Sequence, residues 1–338
     1  MLQALYSSII KVNSYLYDMN KRVINHVGVP VISVGNISTG GSGKTPFTQT
    51  IVSKLLALHK NPVVIGRGYK RNSKGEVIVS NGQTILTDVM TAGDELFLHA
   101  VKLHVPVIAN KNRYEAAQTA INNFQSDAIV LDDGFQHRKL YRDLDIVLLD
   151  EFTLHQKYLL PKGRLREDFS SLKRADIICI QEGIDNNHIP YTFSANQLLI
   201  TSTSLAGNPY TLKQLIQNNE VERTTYSSIP KIMIAVSAIA HPKKFENTLD
   251  QNGMKIIHHS IFNDHHSYSL QDIRFILKSC NDYSVQAIIT TEKDAVKLLQ
   301  FISYFDEIGI EVYVLPIRVV ITKNEDLFDK RIVQLFNN

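Results

Sequence analysis

The sequence predicts an α/β fold: a mostly parallel sheet with helices on both faces, a smaller αβ unit after it, and an amphipathic helix before it. Three observations carry this expectation. From Val31 onward, short apolar runs alternate with segments of helical period. A glycine-rich stretch, Gly40-Gly41-Ser42-Gly43-Lys44-Thr45, lies between the first apolar run and the first helical segment. A second alternating set begins near Ile232, after a polar and irregular passage.

Residues 1–28 come first. Leu2, Leu5, Ile9, Val12, Leu16, Met19 and Val23 recur every three or four positions, and Tyr6, Ile10, Tyr17 and Ile24 widen the stripe to about half a helix. Lys11, Asp18, Lys21 and Arg22 occupy the opposite side, while Asn13 and Asn20 interrupt the stripe. Two readings stand. The helix packs on the protein's own core, or it lies on a membrane with Lys21 and Arg22 near anionic headgroups.

Residues 29–205 read as the first αβ unit. Strands are expected at Val31–Val34, Val63–Ile65, Val105–Ala109, Ala128–Leu131, Ile146–Leu149 and Ile177–Ile180. Helices are expected at Pro46–His59, Asp94–Leu103 and Asn112–Asn123, and a hairpin over Gly75–Leu86 turns at Asn81-Gly82. Residues 206–228 read as the passage between units, and 229–338 as the smaller αβ domain. Its strands are expected at Ile232–Ser237, Lys255–His258, Ala287–Thr290 and Val312–Leu315, with helices from Pro242, Leu270 and Lys293.

Composition narrows the function. Lys and Arg number 36 against 33 Asp and Glu, a net charge of +3, so bulk charge makes no case for nucleic acid. No apolar run reaches the ~18 residues of a membrane span. The first residues do not resemble a secretory signal, because their basic residues follow the apolar ones. Cys179 and Cys280 match no metal or redox spacing and read as buried thiols in a reducing compartment.

The glycine-rich stretch supplies the chemistry. Backbone N–H groups of such a loop, and of the helix it opens, point at an anion. Lys44 would reach the β- and γ-phosphates, and Thr45 would place its hydroxyl on Mg²⁺. The strict phosphate-loop pattern has glycine where this chain has Ser38. Asp132 and Asp133 close the apolar run at Ala128–Leu131, the usual place for a Mg²⁺ carboxylate; either could instead cap a turn. The guanine-reading pattern is missing, since Lys293 and Asp294 are adjacent in Thr291-Glu292-Lys293-Asp294. That favours ATP and a kinase over a GTP switch.

Seven stretches stand in register with the phosphate loop: Val34-Gly35-Asn36 leading into it, Arg67-Gly68-Tyr69, Gly93-Asp94-Glu95, LDDGFQHR at 131–138, LLPKGRLRE at 159–167, FNDHHSY at 262–268 and TEKDAVKL at 291–298. In this order and spacing the chain resembles the tetraacyldisaccharide 4′-kinase family over roughly residues 1–320. The resemblance implies a phosphate-loop α/β domain and a smaller domain closing an active-site cleft. It implies transfer of the ATP γ-phosphate to the 4′-hydroxyl of an acylated glucosamine disaccharide 1-phosphate, giving lipid IVA in lipid A biosynthesis. It also implies a peripheral enzyme on the cytoplasmic face of a bacterial inner membrane, with no nucleic acid and no obligate protein partner.

The same resemblance implies residue roles. Gly40, Gly41, Ser42, Gly43, Lys44, Thr45 and Arg166 would bind nucleotide; Thr45 and Asp133, with Asp132, would hold Mg²⁺. Asp94 matches a proposed general base and His265 its histidine partner. The plain alternatives are a helix N-cap for Asp94 and a surface-loop histidine for His265, with His266 competing for the cleft. Glu167 would act on Mg²⁺ or form a surface salt bridge. Tyr69, Arg113, Gln136 and His137 would meet substrate, although Arg113 could merely pair with a surface acid. Lys60, Arg67, Lys70, Arg71 and Lys74 surround Tyr69 as a basic cluster for a substrate phosphate or anionic lipid, or as a solvated loop. Ser237-Ala238-Ile239-Ala240 departs from a glycine-containing segment of the family. A soluble small-molecule kinase and a nucleotide-dependent switch or assembly NTPase are the competing functions.

Overall fold

The computed structural model describes residues 2–216 and 229–337. Part of the expected passage, 217–228, therefore lies outside the described residues. The strands in chain order are β1 (Val31–Gly35), β2 (Pro62–Gly66), β3 (Val77–Asn81), β4 (Pro106–Ala109), β5 (Ala128–Asp132), β6 (Leu144–Leu149), β7 (Ile177–Gln181), β8 (Leu198–Ala206), β9 (Tyr210–Thr211), β10 (Ile232–Ser237), β11 (Lys255–Ile261), β12 (Ala287–Thr291), β13 (Glu311–Leu315) and β14 (Ile317–Lys323). The helices are α1 (Leu2–Asp18), α2 (Lys44–Ala57), α3 (Val89–Ala92), α4 (Asp94–Leu103), α5 (Arg113–Phe124), α6 (Glu151–Leu154), α7 (Pro242–Gln251), α8 (Leu270–Asp282), α9 (Glu292–Leu298), α10 (Ile302–Ile308) and α11 (Glu325–Gln334).

The larger sheet runs β14-β8-β7-β6-β1-β5-β2-β4-β3, parallel except at its two edges. Its central strands are buried along their whole length, which is why they read as unbroken apolar runs. Side chains alternate between two cores. Ile32, Val34, Val64 and Val130 cluster with Phe47, Ile51, Val52 and Leu55 of α2. Val31, Val63, Ile65, Ile129 and Leu131 cluster with Ala116, Ala117 and Ala120 of α5, whose small side chains let that helix lie close. β1 pairs in parallel with β5, Val34 opposite Asp132. The loops leaving β1 and β5 therefore emerge side by side at the carboxyl edge, where open parallel sheets bind ligands.

The smaller sheet runs β11-β10-β12-β13-β9, parallel apart from β9. Its helix α9 packs against α4 of the larger unit. Lys102 of α4 reaches Glu292 of α9 at 2.6 Å. This contact brings the two carboxyl edges to one cleft.

The chain does not end in the smaller unit, as the range 229–338 would have it. β14 crosses back and pairs antiparallel with β8, satisfying backbone groups that would otherwise form an open edge. α11 then docks on α2: Phe328 meets Phe47 edge-on with ring centroids 6.1 Å apart, and Lys54 bridges Glu325 at 2.8 Å and Asp329 at 2.7 Å. The expected hairpin is also modest. β3 pairs with β4, and the return limb makes one isolated bridge, Ser80 to Ile85.

α1 is fastened to the molecule by its aromatic and polar residues. Tyr6 donates its hydroxyl to the Arg166 carbonyl at 3.0 Å, Arg138 donates to the Ser14 carbonyl at 3.1 Å, and Arg138 reaches Asp18 at 2.8 Å. The apolar stripe faces outward instead of packing on the core: Leu2 is 69% exposed, Leu5 59%, Ile9 58% and Val12 57%. Among the described residues no helix is long and apolar enough to cross a membrane.

Candidate active site

A cleft of ≈ 1510 Å³ opens between the two carboxyl edges, lined at one end by Lys44, Thr45 and Asp133 and at the other by Tyr69, His265 and Lys293. Each end is built by a different part of the chain.

At the first end, β1 finishes at Gly35, where a side chain would meet Phe135 Cβ at 2.5 Å. Only glycine lets the strand pass beneath the Asp-Asp-Gly-Phe loop. Asn36 then donates its amide to Ser42 Oγ at 2.8 Å and ties the loop to its own base. Gly40 and Gly43 take φ of +141° and +82°, and Gly43 caps α2, so Lys44 and Thr45 open that helix with its N–H groups. Ser38 has no positive φ; it is buried with its hydroxyl 2.7 Å from Thr153 Oγ1. The backbone at this position therefore does not require glycine.

Asp133 follows β5 with a φ of +56°. Arg166 Nη1 donates to both of its carboxylate oxygens, at 2.8 and 2.7 Å, and Lys44 Nζ lies 3.6 Å away. Burial alone would raise its pKa; Lys44 and Arg166 outweigh burial and hold it at about 2. Asp132 turns the other way. Its Oδ2 lies 2.9 Å from Nε2 of His99, which is fully buried on α4 and whose Nδ1 meets no hydrogen-bond partner. The sequence reading missed His99; its one signal is a polar residue inside the apolar face of Leu96, Phe97, Ala100 and Val101.

Glu167 does not reach the cleft. Arg174 holds it, at 3.0 Å from Oε1 and 2.9 Å from Oε2, and Gln136 donates to Oε1 at 3.0 Å. Its carboxylate stays off the cleft lining, so the salt-bridge alternative fits, with Glu167 buried and not on the surface. Gln136 and His137 line the cleft. Burial, followed by the charges of Arg113, Arg142 and Lys139, lowers the His137 pKa to about 4 and keeps the ring neutral. Arg113 is buried and lines the cleft, anchored through Nη1 to the Asn110 carbonyl at 3.0 Å. Burial lowers its pKa to about 10, partly offset by Asp133, so it remains a cation.

The basic cluster around Tyr69 splits: Lys70 stays over the Tyr69 ring, 5.9 Å from its centroid. Lys60 lies over the Phe336 ring at 4.5 Å, and Arg71 donates to the Ala109 carbonyl at 3.0 Å and to the Gly75 carbonyl. Of the five basic residues, Arg67 alone lines the cleft.

At the second end, Asp94 opens α4 and is buried. It does not cap its own helix; Oδ1 accepts from the Glu95 N–H at 3.0 Å and Oδ2 faces His265 Nδ1 at 3.0 Å. Burial would raise its pKa, but the His265 hydrogen bond and the Lys293 charge hold it at about 2. His265 sits at a φ of +60° on the loop after β11, with its N–H donating to the Ala238 carbonyl at 3.1 Å. The Tyr69 ring meets it edge-on at 4.9 Å. His266 turns away, stacked on Phe262 at 5.0 Å and bonded to Asp272 at 3.1 Å, so His265 is the cleft histidine. The Ser237–Ala240 departure is accommodated as well: no residue there has a positive φ, and the Ala238 N–H donates to Asp294 at 3.0 Å. Lys293, outside the residues singled out for the site, stands 3.2 Å from His265 Nε2, 3.1 Å from Glu95 and 3.8 Å from Asp94.

Comparison with known proteins places the chain in a family. The family model described as tetraacyldisaccharide-1-P 4′-kinase matches residues 1–337. A tetraacyldisaccharide 4′-kinase of Halothermothrix orenii is 36% identical, covering 96% of this chain and 89% of that protein. One of Desulfotalea psychrophila is 38% identical over 89% of this chain and 87% of that protein. A crystal structure of the Aquifex aeolicus protein in complex with ATP superposes with a TM-score of 0.79 at 32% identity, covering 99% of this chain and 97% of that one. The chain belongs to the tetraacyldisaccharide 4′-kinase family.

Proposed function

We propose that this protein is an ATP-dependent kinase that transfers the γ-phosphate to the 4′-hydroxyl of a tetraacyldisaccharide 1-phosphate in lipid A synthesis. One observation carries the reading: a phosphate-binding loop and His265, backed by the buried Asp94, face each other across a single cleft. A nucleotide switch needs no such pair.

Phosphoryl transfer is mostly positioning and charge neutralisation. The N–H groups of Gly41–Lys44 and the Lys44 ammonium receive the β- and γ-phosphates. Arg166 and Lys44 keep Asp133 ionised through any physiological pH. Thr45 and Asp133, with the Asp132 oxygen that His99 leaves open, offer hard oxygen donors, and these suit Mg²⁺, which prefers one or two carboxylates plus phosphate oxygens. Bound there, Mg²⁺ would neutralise charge developing on the phosphates. Glu167 is not part of this set.

The acceptor hydroxyl approaches from the His265 end. Asp94 stays ionised and lies behind the imidazole, so it orients the ring through Nδ1–H and stabilises positive charge on it. The ring is the member that lines the cleft. As the new O–P bond forms, the hydroxyl proton passes to this pair, and the electron pair of the breaking bond leaves with ADP. Arg67, Arg113 and Tyr69 flank the approach and offer cationic and aromatic contacts to an anionic sugar.

The exposed stripe of α1 supports a peripheral seat on a membrane, where acylated substrate resides; we assign it to the cytoplasmic face of a bacterial inner membrane. The outward Leu2, Leu5, Ile9 and Val12 would enter the acyl boundary, while Tyr6 and Ile10 line the cleft behind them. Flotation with anionic vesicles tests this: wild type should float with the vesicles, and recovery wholly at the bottom of the gradient would sink it.

A further inference from the structure

The Asp94–His265 pair has a third neighbour with no role so far. Lys293 opens the first turn of α9 and reaches across to α4, where Glu95 accepts from its ammonium at 3.1 Å. The same ammonium lies 3.2 Å from His265 Nε2. An ammonium has protons to give and no lone pair, so here the imidazole nitrogen must accept. Nδ1, facing an ionised carboxylate at 3.0 Å, must then carry the ring proton. The two contacts together select one tautomer of the two.

The surroundings keep Lys293 charged. Burial opposes its charge, but Glu95 and Asp94 outweigh burial and raise its pKa above the ordinary lysine value. The loop that carries His265 is fixed independently: Lys297 donates to the His266 carbonyl at 3.1 Å and pairs with Asp294 at 2.7 Å. Lys293 is thus free of the task of holding the loop.

We propose that Lys293 is a positioning residue of the phosphoryl transfer: it holds His265 as the neutral Nδ1–H tautomer, with the Nε2 lone pair presented to the cleft, and yields that nitrogen to the acceptor hydroxyl. The proposal rests on the reading of Asp94 and His265 given above. Lys293 keeps its own protons throughout. The hydroxyl proton goes to Nε2, the oxygen bonds to the γ-phosphorus, and the bond to the β,γ-bridging oxygen breaks towards ADP. Glu95 of α4 retains the ammonium, and Asp94 stabilises the positive charge the ring gains when the hydroxyl proton arrives.

Charged and titratable groups surround the Asp94–His265 pair from each neighbouring element: Glu95 from α4, Lys293 and Lys297 from α9, Tyr69 and Lys70 from the loop after β2, and Asp264 from the His265 loop at 4.0 Å. Lys293 is the cation nearest Nε2, so its removal should move the acid limb of the kcat–pH profile to higher pH.

Two measurements test this on the full-length protein. In histidine-¹⁵N-labelled protein, with the His265 signals assigned by their loss in His265→Gln, long-range ¹H–¹⁵N spectra report the tautomer. Wild type and Lys293→Arg should show Nδ1–H alone; Lys293→Met should show a mixture. In transfer from γ-labelled ATP to detergent-dispersed disaccharide 1-phosphate, Lys293→Met should lower kcat about 10²-fold with KM for ATP little changed, and shift the acid limb upward. Lys293→Arg should recover most of the rate. If Lys293→Met does not fold, Lys293→Gln, similar in reach and without charge, gives the same reading of the acid limb. An unchanged tautomer and acid limb in the variants, whatever the rate, would make Lys293 a merely structural lysine and overturn the proposal. Absence of label transfer by the wild type would instead overturn the kinase reading beneath it.

Discussion

The two ends of the cleft each hold a carboxylate near a pKa of about 2, yet they reach that state differently. Asp133 owes it to Lys44, which opens α2, and to Arg166 on a loop, both at the carboxyl edge of the larger sheet. Asp94 owes it to His265 and Lys293, both contributed by segments attached to the smaller sheet. The charges at the phosphate end therefore come from one packed unit, with His241 of the smaller unit lying against Phe152 beside it, whereas the acceptor end exists only where α4 and α9 meet. Nucleotide binding should tolerate disturbance between the sheets; transfer to the acceptor should not.

The largest expected effect breaks the phosphate end. Lys44→Ala should lower kcat/KM by about 10³-fold or more, read by label transfer from ATP, because it removes the cation from the developing charge. At the acceptor end, His265→Gln should lower kcat about 10²-fold while ATP affinity, read by nucleotide titration, stays close to wild type. Adding Asp94→Asn to it should cost little more, since the two act as one unit; full additivity would separate them.

A smaller effect concerns stability at the phosphate end. The folded His137 pKa of about 4 lies below its unfolded value, ~6.5, so the unfolded chain binds the extra proton first. Thermal stability should fall as pH drops from about 6.5 to about 4, and His137→Asn should flatten that part of the profile. Asp94 and Asp133 add a loss at lower pH, from about 4 towards about 2, because protonation there favours the unfolded chain. An unaltered slope in His137→Asn would contradict the burial argument. The smallest effect on chemistry should come from α1: Leu5→Glu with Ile9→Glu should weaken vesicle binding about tenfold or more, with the least change in transfer to detergent-dispersed acceptor.

The contrast between the two ends also explains what the sequence made legible. Gly40, Gly43, Lys44 and Thr45 lie within six residues of one another, because backbone geometry and phosphate charge demand those residue types locally. The buried strands β1, β2, β5, β6 and β7 announced themselves as apolar runs for the same reason: one short segment carries the whole signal. Asp94 and His265 are 171 positions apart, and only the family resemblance paired them. Lys293 stands inside the TEKDAVKL stretch without a role assigned to it, and the one signal of His99 is a polar residue in an apolar helix face. The Mg²⁺ role of Glu167 rests on the family resemblance alone, and its partner Arg174, on the following 3₁₀ turn, holds the carboxylate. β14 and α11 were misassigned because nothing in Ile317–Lys323 reveals which of two edges it completes.

The most direct test of the account is the transfer of label from γ-labelled ATP, with Mg²⁺, to a detergent-dispersed tetraacyldisaccharide 1-phosphate, compared between wild type and His265→Gln. The account predicts label in the lipid for wild type, about 10²-fold slower transfer for the variant, and similar ATP binding by both. Label released only as free phosphate, at one rate with or without lipid and equally in both proteins, would contradict it.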